Sequence, residues 1–143
     1  MDAPTSLRVL CLDGGGIKGY TSLLILRRIF RTIAAENGLQ EPPRPCDIFD
    51  LIAGTSTGGL IAVMLGRLHM SVDECITVYE NLGKEVFGKR LIGGQFGRII
   101  RGMTSSPFYD IEALQAQVKK VLKEKGIPLD EVFVESNNPI CKV

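Results

Sequence analysis

The chain has 143 residues, within the size range of one domain. Its 45% hydrophobic and 23% charged residues support a real core and exclude disorder as an overall reading. Seventeen Lys and Arg against sixteen Asp and Glu leave a net charge of +1, so no global field recruits nucleic acid. The longest aliphatic stretch without glycine, Leu60 to Leu65, is too short to span a bilayer. The opening Met1-Asp2-Ala3-Pro4 lacks the basic, apolar and small-residue progression of a signal peptide. Cys11, Cys46, Cys75 and Cys141 lie far apart with no C-x-x-C pair, and read as reduced thiols of a cytoplasmic protein.

Leu7 to Leu12 is a short apolar run ended by Asp13 and three glycines, which predicts a buried strand. From Tyr20 to Glu36, Leu23, Leu26, Ile29, Phe30 and Ile33 recur at helical spacing. Arg27, Arg28 and Arg31 supply the solvated face of that helix, and Asn37-Gly38 ends it. The proline-rich segment Glu41 to Pro45 is expected to be a connecting loop. Ile48 to Ala53 is strand-like despite Asp50, and meets Gly54-Thr55-Ser56-Thr57-Gly58-Gly59. The apolar stretch Leu60 to Leu68 then predicts a buried helix.

Ser71-Val72-Asp73-Glu74 is a capping-box pattern that opens a helix running to about Val86. Between Gly88 and Ser105, Phe96, Ile99, Ile100 and Met103 interleave with Lys89, Arg90, Arg98 and Arg101. That mixture suits either an interface with anionic headgroups or a solvated loop. Asp110 to Lys125 predicts an amphipathic helix with Ile111, Leu114, Val118, Val121 and Leu122 inward. Asn137-Asn138-Pro139 is a turn, and Ile140 to Val143 looks like the start of a strand. Strand, glycine turn, helix, repeated once, is the order of an α/β domain with a parallel sheet.

The chemistry concentrates in the two glycine turns. The first, Asp13-Gly14-Gly15-Gly16-Ile17-Lys18-Gly19, fits G-x-G-x-x-G. A dinucleotide site would need an acid at the end of the following strand, where this chain has Gly54-Thr55. A phosphate-binding P-loop would need Lys after the last glycine, where Tyr20 stands. The second turn, Gly54-Thr55-Ser56-Thr57-Gly58, is a G-x-S-x-G nucleophile-elbow pattern between strand and helix. Its bland alternative is a helix start capped by Thr55 or Ser56. In a parallel α/β sheet both turns follow strands and lie at the same carboxyl edge. That would set the Gly14 to Gly16 amides beside Ser56, a nucleophile next to an oxyanion hole.

These paired motifs resemble the patatin-like phospholipases, from about Leu7 to the end of the chain and most closely through residue 70. The resemblance implies a three-layer α/β/α fold and a lipid acyl hydrolase that uses a Ser–Asp dyad without histidine. It implies Ser56 as nucleophile, with oxyanion donors in Gly14, Gly15 and Gly16, chiefly the amides of the latter two. Gly54, Thr55, Thr57 and Gly58 build the elbow, with Asp13, Lys18 and Gly19 in support. Lys18 stands where the family usually has arginine, which keeps the charge but loses the planar fork.

The family's base is an aspartate in a later D-G-G or D-G-A motif, and neither follows Ser56 in this chain. Asp73, Asp110 and Asp130 lack those surroundings. His69 comes thirteen residues after Ser56, roughly 20 Å along a continuous helix, and is too far to be the base. Residues 1–143 are therefore expected to form a partial patatin-like domain without the strand that carries the catalytic Asp. The expected substrate is a membrane lipid or phospholipid, with peripheral membrane contact, self-association and no nucleic acid. No metal or cofactor is implied, because no His/Cys/Asp cluster has ligand spacing. The alternative function is a non-catalytic lipid-binding or regulatory module.

Overall fold

The computed structural model describes residues 6–83, 111–130 and 141–143. The chain divides into two compact units, Met1–Thr77 with Phe133–Val143, and Val78–Val132. The first unit is built on two parallel strands, β1 (Val9–Leu12) and β2 (Leu51–Gly54), with flanking helices. This is the α/β arrangement that the element order predicts. Val9 pairs with Leu51, and the register runs through to Leu12 with Gly54. Lys142 joins the other edge of β2. Its N–H donates to the Asp50 carbonyl and its carbonyl accepts from the Ile52 N–H, each at 2.9 Å. The strand-like C-terminal segment is thus observed at Lys142, while Ile140 lies outside the described residues.

Registered residues of parallel strands share a face, and successive residues alternate. Leu12 and Ile52 are buried on one face, whereas Val9 is 45% exposed and Cys11 is exposed on the other. The expectation of a fully buried first strand is corrected: one face of β1 is covered and the other is open. Leu7, also counted in that run, precedes the strand and is exposed.

Helix α1 (Lys18–Glu36) returns the chain from β1. Leu23, Leu26, Phe30 and Ala34 form its buried stripe. Ile29 sits one residue before Phe30, about 100° around the helix, and is 47% exposed. Its predicted inward position is therefore corrected, and Ile33 is only half-buried. The helix ends as predicted at Asn37-Gly38. Gly38 takes φ 65° and the Leu39 N–H donates to the Ala34 carbonyl at 2.9 Å, a Schellman closure.

Pro45, expected in a loop, instead opens the one-turn helix α2 (Pro45–Ile48). At a helix start the missing proline N–H would have no intrahelical partner, so nothing is lost there. Asp50 then stands beside β2, where its carboxylate accepts from the Arg8 N–H at 2.7 Å and from Arg8 Nη2 at 3.1 Å. This pairing explains the acid that the strand pattern left unaccounted for.

The apolar stretch after β2 is helical and buried, as predicted, but it is not one α-helix. Helix α3 (Thr57–Ala62) runs directly into a π-helical segment, Val63–Arg67. The Leu68 N–H donates to the Val63 carbonyl at 3.0 Å, five residues back. Gly66 lies in this segment at a close approach to the C-terminal residues. A side chain there would collide with Val143 and meet Cys141 Sγ at 3.8 Å. Helix α4 (Val72–Leu82) starts with the predicted capping box. The Ser71 N–H donates to Glu74 Oε2 at 2.7 Å, and the Glu74 N–H donates to Ser71 Oγ at 3.2 Å. The expected extension of this helix to Val86 lies outside the described residues, as does the basic and apolar segment from Gly88 to Ser105.

In the second unit, helix α5 (Ile111–Glu124) matches the predicted amphipathic helix. Val121 is buried and Leu122 half-buried, but Val118 is 39% exposed and Gln117 takes the inward position instead. The helix stops near Gly126, whose φ is 68°.

Candidate active site

The second glycine turn is a sharp elbow. Ser56 has φ 55° and ψ −124°, a conformation that residues with a side chain rarely adopt and that costs about 1–3 kcal/mol. The turn closes because glycines flank it. A side chain on Gly54 would collide with the backbone of Gly58, and one on Gly58 would collide with the Leu12 carbonyl. The Gly58 N–H donates to the Thr55 carbonyl at 3.0 Å and the Leu60 N–H to the Ser56 carbonyl at 3.2 Å, which starts α3.

Ser56 occupies the N-cap position of α3, yet its side chain makes no capping hydrogen bond. The Ser56 part of the bland reading, in which the hydroxyl merely caps the helix, is not what the fold uses. Thr57 follows, with its side-chain oxygen buried and without a hydrogen-bond partner among the described residues. Ser56 itself is exposed.

The first glycine turn lies against this elbow. A Cβ built on Gly14 would be 2.9 Å from Ser56 Cβ and 2.9 Å from the Thr55 carbonyl oxygen. The Thr55 N–H donates to the Leu12 carbonyl at 3.1 Å, carrying the β1–β2 ladder into the second turn. The Asp13 carbonyl faces Gly58. Parallel pairing therefore places both turns at one end of the two strands, as expected for loops that follow parallel strands.

Within the first turn, Gly15 has φ 148° and Gly16 φ 56°, both in the region that favours glycine. The Lys18 N–H donates to the Gly15 carbonyl at 3.2 Å and the Gly19 N–H to the Gly16 carbonyl at 3.0 Å, so the turn passes directly into α1. The aliphatic part of Lys18 lies beside Gly15, where an added Cβ would be 3.3 Å from Lys18 Cβ and Cδ. Gly19 is buried at the start of the helix.

Two other sequence candidates, His69 and Asp73, stand apart from this arrangement. His69 is exposed, with φ 50°, beyond the far end of the helical track that starts after Ser56. Asp73 on α4 accepts from Arg31 at 3.2 Å and lies 3.9 Å from Arg27. Asp130 is exposed in the second unit, and Asp110 lies outside the described residues. No group of three or more metal-ligating side chains occurs among the described residues. No helix among them is long and apolar enough to cross a membrane. None of the four cysteines forms a disulfide; burial pushes the thiols of Cys46 and Cys75 upward, which makes them poor nucleophiles. The exposure of Ile25 and Ile29 on α1 is the surface feature that sequence reading missed.

Residues 10–137 match the family model described as patatin-like phospholipase. The chain is 34% identical over 136 residues to calcium-independent phospholipase A2-gamma of Oryctolagus cuniculus, which covers 94% of this chain and 15% of that protein. It is 45% identical over 83 residues to phospholipase A I of Arabidopsis thaliana, covering 58% of this chain and 6% of that protein. Patatin-like protein 1 of Oryza sativa subsp. indica is 33% identical over 125 residues, covering 83% and 29% respectively. The chain thus spans less than a third of the length of each of these relatives.

Proposed function

This chain belongs to the patatin-like phospholipase family, and from that premise we propose that it carries the nucleophile half of a serine lipid acyl hydrolase. The observation that supports the reading is the close approach of Gly14 to Ser56, whose strained backbone and uncapped hydroxyl suit a nucleophile elbow. Ser56 Oγ attacks the acyl carbonyl of a membrane lipid, and its proton passes to an aspartate base. Amides of the Gly14–Gly16 turn hold the developing oxyanion at the start of α1, where the helix end favours negative charge. The aspartate returns that proton to the alcohol portion of the lipid as it leaves, an acyl-serine remains, and water, deprotonated by the same aspartate, releases the fatty acid and restores the serine. Lys18, alongside Gly15, holds a positive charge on the turn. Asp13, Thr55, Thr57 and Gly19 shape the two turns. We place the base outside these 143 residues, on a later strand with a D-G-G or D-G-A motif, so that residues 1–143 form part of the catalytic domain.

Hydrolysis of p-nitrophenyl esters tests this reading. The 143-residue chain is expected to work near background. A polypeptide continued through the strand carrying the aspartate is expected to turn over, and Ser56→Ala is expected to lower that rate by at least about a thousandfold. Ser56-dependent turnover by the 143 residues alone would place the base among their own carboxylates. An inactive extended polypeptide that still binds lipid would favour a non-catalytic lipid-binding module.

A further inference from the structure

The peptide bond after Ser56 is turned to an unusual angle. Around the Cα–C bond of an L-residue, Cβ stands about 120° from the backbone nitrogen. With ψ at −124°, the Thr57 nitrogen therefore nearly eclipses Ser56 Cβ. An extended or helical residue would hold that nitrogen roughly 80° or more from Cβ. In a trans peptide the N–H lies on the side of the preceding Cα, so the Thr57 N–H runs alongside the Ser56 side chain. This donor is unused in the resting fold. Thr57 is the first residue of α3, so no carbonyl within the helix can accept from it. No other acceptor takes it among the described residues, although the Gly58 and Leu60 N–H groups find the Thr55 and Ser56 carbonyls. The residue is also held firmly: the Thr57 side chain is buried, and Gly58 fits closely against the Leu12 carbonyl.

We propose that Thr57 is a catalytic residue through its backbone, its N–H being a further donor to the oxyanion beside the amides of the Gly14–Gly16 turn. When Ser56 Oγ bonds to the acyl carbon, the carbonyl oxygen takes up negative charge while attached to the atom next to Oγ. A donor that runs alongside the Ser56 side chain reaches that oxygen. The first glycine turn comes to the same place from β1, where Gly14 approaches Ser56 Cβ. Donors from two turns then hold one oxygen, and a donor already fixed in place needs no reorganisation as the charge forms. The strained conformation of Ser56 thereby gains a purpose beyond exposing the hydroxyl: φ 55° with ψ −124° aims the next amide along the nucleophile. The side chain at residue 57 does not encode this role, because the donor belongs to the backbone. The assignment rests on the hydrolase reading of Ser56 and adds a donor to that same site.

The test replaces the peptide bond between Ser56 and Thr57 by an ester, with Thr57 incorporated as its α-hydroxy acid, which removes the N–H and keeps both side chains. The change is made in the polypeptide continued through the strand that carries the aspartate, and hydrolysis of p-nitrophenyl esters is followed. The ester form is expected to lower kcat about a hundredfold or more with KM little changed, because the bond is made only in the transition state. Its melting midpoint is expected to match that of the native backbone, since no hydrogen bond of the resting fold is removed. Equal turnover by the two forms would overturn the inference and leave Ser56 as nucleophile. A native-backbone polypeptide without Ser56-dependent turnover would overturn both. A second measurement needs no altered backbone and stands even if the ester form does not fold. Reaction of the isotope-labelled native polypeptide with a fluorophosphonate sets a phosphonyl oxygen where the oxyanion forms. The Thr57 amide proton is then expected to move downfield in the nuclear magnetic resonance spectrum, as a new hydrogen bond requires. An unmoved Thr57 amide in the Ser56 adduct would overturn the inference.

Discussion

At the scale of single residues, the site depends on where side chains are absent. Gly14, Gly54 and Gly58 let three backbone segments meet at Ser56, and each would clash if it carried a Cβ. Such motifs are legible in sequence because glycine spacing is local and each glycine answers a steric demand. The buried hydroxyl of Thr57 was not legible, since nothing in a linear pattern says whether a polar atom finds a partner. A buried hydroxyl without a hydrogen bond opposes folding, whereas valine keeps the shape and β-branching without that cost. Thr57→Val is therefore expected to leave stability unchanged or raise it by up to about 2 kcal/mol in chemical denaturation. A loss greater than about 1 kcal/mol would show that the hydroxyl makes a bond in the folded protein.

At the scale of elements, the sequence specified best those features whose determinants lie within one turn of each other. The capping box at Ser71 and Glu74 and the Gly38 closure of α1 formed as read. The helical stretch after Ser56 broke the pattern, because its switch to π geometry at Val63–Arg67 changes no residue type that periodicity could register. Pro45 misled for a similar reason, as proline excludes a helix interior but suits a helix start. Asp50, unexpected beside a strand, is explained by Arg8, forty-two residues earlier. That pair has a pH consequence. Hydrogen bonds from Arg8 hold the Asp50 carboxyl below its ordinary value of 3.8, with charge attraction a smaller cause. A carboxyl with a depressed folded-state pKa stabilises the fold above its unfolded pKa and loses that contribution as pH falls through the folded value. Asp50→Asn is therefore expected to lower the melting midpoint at neutral pH by a small amount, both partners being solvent-accessible. The difference from wild type should shrink progressively below about pH 4. An undiminished difference at still lower pH would contradict the ionic origin.

At the scale of the molecule, the sheet shows what sequence reading overestimated. Continuous apolar runs suggested strands covered on both faces, but the register puts Val9 and Cys11 on a face that remains open. β1 also has only one strand neighbour among the described residues. An exposed strand edge with an apolar face favours association between chains. Sedimentation velocity is expected to show the 143-residue chain self-associating, and Val9→Lys is expected to suppress this without disturbing α1. A clean monomer with the same melting midpoint as a polypeptide extended through further strands would instead indicate a self-sufficient fold. Covalent labelling tests the role of Ser56 most directly. A fluorophosphonate probe applied to the polypeptide extended through the aspartate-bearing strand, followed by peptide mass spectrometry, is expected to give one covalent adduct on Ser56 that disappears in Ser56→Ala. An adduct on another residue, or equal labelling of the Ser56→Ala variant, would contradict the assignment.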